Sequence, residues 1–357
     1  MAKSKIEWTT ETWNVITGCS KVSAGCKNCY AIRMSWRNQH NENTKEKYAG
    51  VVEKTKGGGL NFTGKVNFDE ATLLKPLQTK KPTTYFVNSM SDLFQKGVPF
   101  EWIDKIMAVI ALTPQHTYQV LTKRDERMYE YFKQRIEDDL FTKRIGFSPI
   151  LNQKFIPKAL VEMASISEET YKLLKKTKPK GYEVILSVSR SGYSNDISVF
   201  IESDFKQKSI FPLPNLWLGV SVENQETLSR IDNLRKTPAA VRFLSCEPLL
   251  QDLGTIDLKG IHWVICGGES GHGARPMHPD WVRSIRNQCK DANIPFFFKQ
   301  WGEYLPYGTK TDVLMNQFGE TDFSKHQRGN YIGFAKVGKK QAGALLDGKE
   351  YREMPKI

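Results

Sequence analysis

Short apolar runs that end in a polar turn and lead into a helical stripe recur along this chain. Pro82–Val87 is β-branched and aromatic, reads as a strand, and ends in Asn88-Ser89-Met90-Ser91-Asp92. Pro99–Leu112 follows as a helix, its apolar stripe carried by Trp102, Ile103, Ile106, Met107 and Ile110. Thr117–Leu121 is the next strand, ending in Thr122-Lys123-Arg124, with a helix from Asp125 to about Arg135. After an interruption the rhythm resumes with strand Leu216–Val222, whose end carries Ser221, Glu223 and Asn224, and with helix Gln225–Lys236. Strand Val241–Cys246 ends in Glu247-Pro248, and strand Ile261–Cys266 ends in Gly267-Gly268-Glu269-Ser270-Gly271. A helix over Asp280–Ala292 and a strand over Pro295–Phe298, ending in Lys299-Gln300-Trp301-Gly302, complete the series. With the run Trp13, Val15 and Ile16 at the start, seven strands are counted. Strand, polar turn and helix in alternation predict βα units on a parallel sheet, an α/β fold.

Three stretches depart from the rhythm. Residues 41–67 are polar and rich in Lys and Gly, which predicts an exposed loop with a hairpin, placed beside the N-terminal cysteines like a lid. Residues 136–212 predict an inserted α+β subdomain, with a helix over Ser167–Lys176 and strand-like runs at Tyr182–Val188 and Ile197–Glu202. The tail after Gly302 is polar and Gly-rich, with one short helical piece around Gln341–Leu346. The expected organisation is therefore a first βα part over 1–135, an insertion over 136–212, a second βα part over 213–302 and a C-terminal extension over 303–357 packed on it.

Charge adds one possibility and narrows the rest. Lys plus Arg exceed Asp plus Glu by 52 − 39 = 13. Such an excess suits a polyanionic partner such as a nucleic acid, since each neutralised phosphate releases counterions. It equally suits a solvated basic surface, because the basic residues are spread along the chain. No long charge-free apolar run predicts a membrane span, and Met1–Glu7 has no signal-peptide core. A cytoplasmic protein with no membrane partner is expected.

The chemistry concentrates near the N-terminus. Cys19, Cys26 and Cys29 stand in a Cys-x6-Cys-x2-Cys pattern, while the other cysteines, Cys246, Cys266 and Cys289, are scattered. In a reducing compartment this clustering favours metal or redox chemistry over disulfides. Three thiolates from one loop can hold three irons of a [4Fe–4S] cluster and leave the fourth iron for a small molecule. They can also hold zinc, with His40 as the nearest fourth ligand, or be free thiols. Cys246 and Cys266, each last in an apolar strand, read as buried and inert.

A sheet of this kind, closed partly or completely, makes a TIM-type (βα) barrel, in which the active site lies at the C-terminal strand ends. Every predicted strand end here carries polar or reactive groups, which points to an enzyme site. Gly267 and Gly268 allow a backbone to approach a ligand, and Glu269 can accept from a ribose or an amine. Lys123 and Arg124 suit a carboxylate or phosphate. Glu223 and Glu247 are either acceptors at the mouth or partners in structural ion pairs, and His272 and His278 read as surface hydrogen-bonding residues.

Ile6-Glu7-Trp8-Thr9, Thr12-Trp13-Asn14 and the cysteine loop through Tyr30-Ala31 together resemble a family of phage and bacterial three-cysteine-motif proteins. The resemblance extends through Asn88–Phe94, Leu121–Arg124, Trp217–Asn224, Phe243–Leu249, Gly267–Gly271, Phe297–Gly302 and Val337–Lys340, and omits about 136–212. That family looks like a divergent branch of the radical S-adenosylmethionine (SAM) enzymes, which are partial TIM barrels. The resemblance implies a [4Fe–4S] cluster on Cys19, Cys26 and Cys29. It implies SAM as cofactor, cleaved to a 5′-deoxyadenosyl radical that takes hydrogen from a substrate such as a nucleic acid, and an electron donor such as a flavodoxin or ferredoxin. It places Asn88, Ser89 and Asp92 at the SAM amino group, Lys123 at its carboxylate, Ser221 and Glu223 at the ribose and the backbone at Gly267 at the adenine. Tyr30, Glu247, Gly268 and Glu269 complete the implied cofactor site. Two features depart from the family pattern. The first cysteine gap is six residues where three is usual, and the second strand ends in Asn-Ser-Met-Ser-Asp where a Gly-Gly-Glu type of turn is usual.

Overall fold

The computed structural model describes residues 4, 6–145, 182–191, 194–203, 211–307 and 332–356. The chain divides into two compact units: Met1–Ser20, Ala31–Leu218 and Lys236–Ala240 form the first, and Lys21–Tyr30, Gly219–Arg235 and Val241–Ile357 the second.

In the first unit the predicted opening strand is two. β1 (Glu11–Trp13) pairs in parallel with β6 (Thr84–Val87), whereas β2 (Ile16–Thr17) leaves it to pair antiparallel with β5 (Asn67–Phe68). Asn14, between them, receives a hydrogen bond from the Ser89 hydroxyl at 3.0 Å, so the break faces a strand-end turn. α1 covers Tyr30–Gln39, and the polar stretch after it contains the expected hairpin, β3 (Val52–Lys54) with β4 (Leu60–Phe62). α2 (Phe100–Leu112) buries Val109, Leu112 and two alanines besides the predicted Ile103, Ile106, Met107 and Ile110. A helix covered on so many sides reads as a core element. β7 (Thr117–Thr122) pairs in parallel with β6. α3 runs from Asp125 to Ile145, well past the expected end near Arg135. The two strand-like runs of the interrupted stretch form a hairpin, β8 (Tyr182–Ser191) with β9 (Ser194–Ser203). The expected helix over 167–176 lies outside the described residues.

β10 (Leu216–Ser221) is buried along its whole length, as parallel strands covered on both faces are. In the second unit, the expected helix over 225–236 is a 3-10 turn, Gln225–Thr227, and then α4 (Arg230–Lys236). The Thr227 hydroxyl accepts from the backbone N–H groups of Glu223 and Asn224 and so caps the start of this turn. β11 (Val241–Cys246), β12 (Trp263–Gly267) and β13 (Phe296–Gln300) pair in parallel. α5 (Pro279–Asp291) is capped by the His278 side chain and buries Val282, Ile285 and Cys289 at helical spacing. The tail holds an unexpected antiparallel pair, β14 (Tyr304–Tyr307) with β15 (Gly333–Lys336), and α6 (Lys339–Ala342). The last residues close the sheet edge: Phe298 N–H donates to Tyr351 O at 2.9 Å, and Trp263 Nε1 to Glu353 O at 2.9 Å.

Seven strands thus make one parallel sheet in the order β1-β6-β7-β10-β11-β12-β13. That is the α/β fold and the strand count which the hydrophobic pattern predicts. No helix among the described residues is long and apolar enough to cross a membrane.

Candidate functional site

Within the first unit, the ends of β6 and β7 meet the chain that leads into Cys19. Asn88 sits in the left-handed region at φ 58°, a conformation asparagine tolerates better than most residues. From there its Oδ1 accepts Ile16 N–H at 3.0 Å, while its own N–H donates to Trp13 O. Ser91 Oγ donates to Ile16 O at 2.9 Å. Gly18, at φ 89°, runs so close to the Lys65 carbonyl that a Cβ would collide with it. Both features fix the approach to Cys19.

Asp92 is the hub of this half. Its Oδ1 accepts Phe94 N–H at 3.0 Å and Thr122 Oγ at 2.7 Å, and its Oδ2 accepts Lys123 N–H at 2.9 Å and Arg124 Nη1 at 2.8 Å. Arg124 Nη2 then donates to Ser20 O at 2.7 Å and to Ser20 Oγ at 3.0 Å. Burial works against the Arg124 charge, but the Asp92 carboxylate and the Cys19 sulfur beside it outweigh burial and hold the proton more tightly. The implied SAM contact at Asp92 therefore meets a carboxylate whose oxygens are already filled. Asn88 is different: it is 2% exposed, and its Nδ2 has no hydrogen-bond partner among the described residues. Lys123 is half-buried, and its backbone N–H joins the Asp92 hub.

Within the second unit, two more acid–arginine pairs hold the rest of the cysteine loop. Glu223 is fully buried; its Oε2 accepts Arg230 Nη1 at 2.9 Å and its Oε1 accepts Ser23 Oγ at 2.9 Å. Arg230 Nη1 also reaches Ser221 O at 2.7 Å, and Ser23 Oγ lies 3.9 Å from Cys26 Sγ. Gly25 packs on the same carboxylate, so that a Cβ there would stand 2.7 Å from Glu223 Cγ. Glu269 takes Arg275 Nε at 2.8 Å, Arg275 Nη2 at 2.7 Å and Asn28 Nδ2 at 3.1 Å. Arg275 Nη2 continues to Ala24 O at 3.0 Å, and Asn28 Nδ2 to Gly273 O at 2.7 Å.

Burial disfavours the Glu269 charge, yet its bonds from Arg275 and Asn28 outweigh this and hold the carboxyl below its ordinary value of 4.5. A lowered folded-state value means that the ion pair contributes fully above the ordinary value and loses its contribution as pH falls through the lowered one. Glu269→Gln is accordingly expected to lower the thermal midpoint near neutral pH, with the difference from the parent closing as pH falls below the ordinary carboxylate value. Thermal melts across that range check it.

The other strand-end residues also meet neighbours within the protein. Glu247 accepts Lys299 Nζ at 2.6 Å. Gly268 lies against the Trp301 carbonyl so closely that a Cβ would overlap it, so its glycine is required by packing of two strand ends. Gly267 has ordinary contact distance around a built Cβ, 3.4 Å at the nearest. Cys246, Cys266 and Cys289 are fully buried, and burial raises all three thiols, Cys289 to about 12. For Cys246 and Cys266 this agrees with the buried, inert reading of their places at strand ends. Cys19 and Cys29 are half-buried, Cys26 is buried, and none of the three is in a disulfide. Tyr30, which opens α1, is 52% exposed. His40 packs against Trp36, ring centres 4.3 Å apart and planes tilted by 48°, with its Nδ1 2.7 Å from Trp36 O, which occupies one of its two ring nitrogens. Among the described residues no group of three His, Cys, Asp or Glu side chains is gathered closely enough to hold a metal ion.

Sequence reasoning did not single out Ser20, Ser23, Asn28, Arg230 or Arg275. A usable signal existed for the last two: each arginine follows its glutamate by a short stretch, Glu223 to Arg230 and Glu269 to Arg275.

The chain matches, over residues 3–355, the family described as "Protein of unknown function (DUF5131)". It belongs to the DUF5131 family. No curated protein and no solved structure matches it significantly. The DUF5131 description names no activity, so the site has to be read from its own residues.

Proposed function

We propose that this DUF5131 protein is an iron–sulfur enzyme of the radical SAM kind, built on a partial TIM-type barrel. The observation that carries the reading is the investment in the cysteine loop: Ser20, Ser23, Ala24 and Asn28 are each held by a charge-paired residue from a strand-end turn. Three thiols on a loop fastened at its backbone suit a shared cluster, because thiolate is the protein ligand such clusters use. Cys19, Cys26 and Cys29 would hold it. When bound, the cluster supplies the electron that cleaves the SAM sulfonium bond.

The chain's own residues divide the remaining work. Asp92 with Arg124, Glu223 with Arg230 and Glu269 with Arg275 position the loop, since their polar atoms are spent on each other and on its backbone. The spare Asn88 Nδ2 donor suits an acceptor such as a carboxylate or a sulfide, because a buried donor left unpaired costs about 1–3 kcal/mol. Lys123 supplies a cation for a carboxylate. The chain's charge excess fits a polyanionic substrate such as a nucleic acid, and reduction needs a partner of the flavodoxin or ferredoxin type. A reducing, cytoplasmic setting suits free thiols.

The reading is tested by anaerobic reconstitution with iron and sulfide, then reduction in the presence of SAM. Release of 5′-deoxyadenosine by the parent and none by Cys29→Ala is expected. A colourless zinc-loaded protein that leaves SAM intact would instead favour a zinc-stabilised nucleic-acid-binding protein.

A further inference from the structure

Almost every arginine whose side chain is described is committed to a carboxylate or a carbonyl. Arg33 and Arg37 make neither a hydrogen bond nor an ion pair among the described residues. Both are exposed, and they lie one helical turn apart on α1 with Met34, itself 46% exposed, between them. At four residues' separation their side chains leave the same helix face. The neighbouring surface is also cationic and aromatic: Lys54 Nζ stands 5.5 Å from the centre of the Trp36 ring, and the exposed His40 packs at a tilt against Trp36. No Asp or Glu occurs anywhere from Thr12 to Asn41.

Two unpaired guanidinium groups have no folding role to explain them. Each would gain strong bidentate hydrogen bonds from a phosphate. An exposed thioether and a partly covered indole offer flat apolar contact to unstacked bases, which a charged protein surface would not need. We infer that the outer face of α1 binds single-stranded nucleic acid, with Arg33 and Arg37 on successive phosphates and the Met34 and Trp36 side chains against bases. The inference rests on the proposed function only for the purpose of the bound strand; binding itself needs no turnover.

Fluorescence anisotropy with labelled oligo-uridylate and oligo-thymidylate, over a series of salt concentrations, tests it on the full chain with and without reconstituted iron. Arg33→Gln combined with Arg37→Gln is expected to weaken binding at least tenfold. The slope of log affinity against log salt should fall by about 1.4, the share of two single-strand phosphate contacts. Because neither side chain has an internal partner, the thermal midpoint should stay unchanged. A control with the same charge loss, Lys80→Gln with Lys81→Gln on an exposed stretch, should bind within about twofold of the parent, since contacts outside the footprint add little. Equal losses in both double variants, no loss in the arginine variant, or a parent that ignores both oligonucleotides would each overturn the inference. Absence of SAM cleavage with binding intact would sink only the enzymatic reading.

Discussion

Arg230→Leu is expected to destabilise the protein by about 3–5 kcal/mol, the cost of stripping one partner from a buried ion pair. The reason lies in what remains. Glu223 has no exposed surface, and without Arg230 its carboxylate loses the ion-pair partner that offsets its burial, keeping the Ser23 hydroxyl. The Ser221 carbonyl, which also receives Arg230, loses that donor. Replacing both partners, Glu223→Leu with Arg230→Leu, should be milder than Arg230→Leu alone, because no unpaired charge is left behind. Urea denaturation of the three variants decides it. A double variant as unstable as the sum of the two single changes would show that the pair is not coupled. Gly25 packs on the same carboxylate, so iron binding should fall along with stability in Arg230→Leu.

The second large effect is expected at Asp92. Asp92→Ala removes the acceptor of four hydrogen bonds and leaves Arg124, whose side chain is 11% exposed, with no carboxylate partner. Loss of about 3–5 kcal/mol is again expected. Asp92→Asn separates charge from shape: it keeps two oxygen-or-nitrogen positions but cannot accept at both, so it should fall between the parent and the alanine variant. Hydrogen exchange in the chain around Ser20 should speed up in both variants, since the Arg124 fork that holds the Ser20 carbonyl is no longer anchored. Unchanged exchange there, with stability lost elsewhere, would mean that Asp92 serves only the β6 and β7 turns.

These two expectations also show where the sequence is transparent and where it is not. The parallel strands were legible because burial on both faces demands continuous apolar runs, and Leu216–Ser221 and Trp263–Gly267 are buried throughout. The pair β14–β15 was not legible. Tyr304–Tyr307 contains a proline, which weakens any strand signal, and its partner at Gly333–Lys336 lies far along the chain. The split of the first strand rests on long-range side-chain bonds, between Ser89 and Asn14 and between Ile16 and both Asn88 and Ser91, and α3 runs past Arg135 through a mixed apolar and charged stretch with no Gly or Pro before Gly146.

Site residues follow the same division. Asp92, Glu223 and Glu269 stood out as polar groups after apolar runs, but whether such a carboxylate faces a ligand or an arginine depends on tertiary approach. Here each is turned toward an arginine; Glu223 and Glu269 also accept from Ser23 and Asn28 of the cysteine loop, whereas Asp92 reaches it through Arg124. Asn88 is the exception, with one donor left over. The loop's serines carried no signal of their own, because a serine is ordinary anywhere on a surface. Arg33 and Arg37 are likewise indistinct by sequence in a basic chain; what sets them apart is that the other arginines whose side chains are described have partners.

The central claim is that Cys19, Cys26 and Cys29 act together on one cluster. Iron and sulfide content per chain after anaerobic reconstitution, measured for the parent and for each single cysteine-to-alanine variant, tests it most directly. The account predicts close to four irons and four sulfides for the parent, as a [4Fe–4S] cluster contains, with a large loss in all three variants and none in Cys289→Ala. Zinc in place of iron, or a Cys19→Ala protein that loads as fully as the parent, would contradict it.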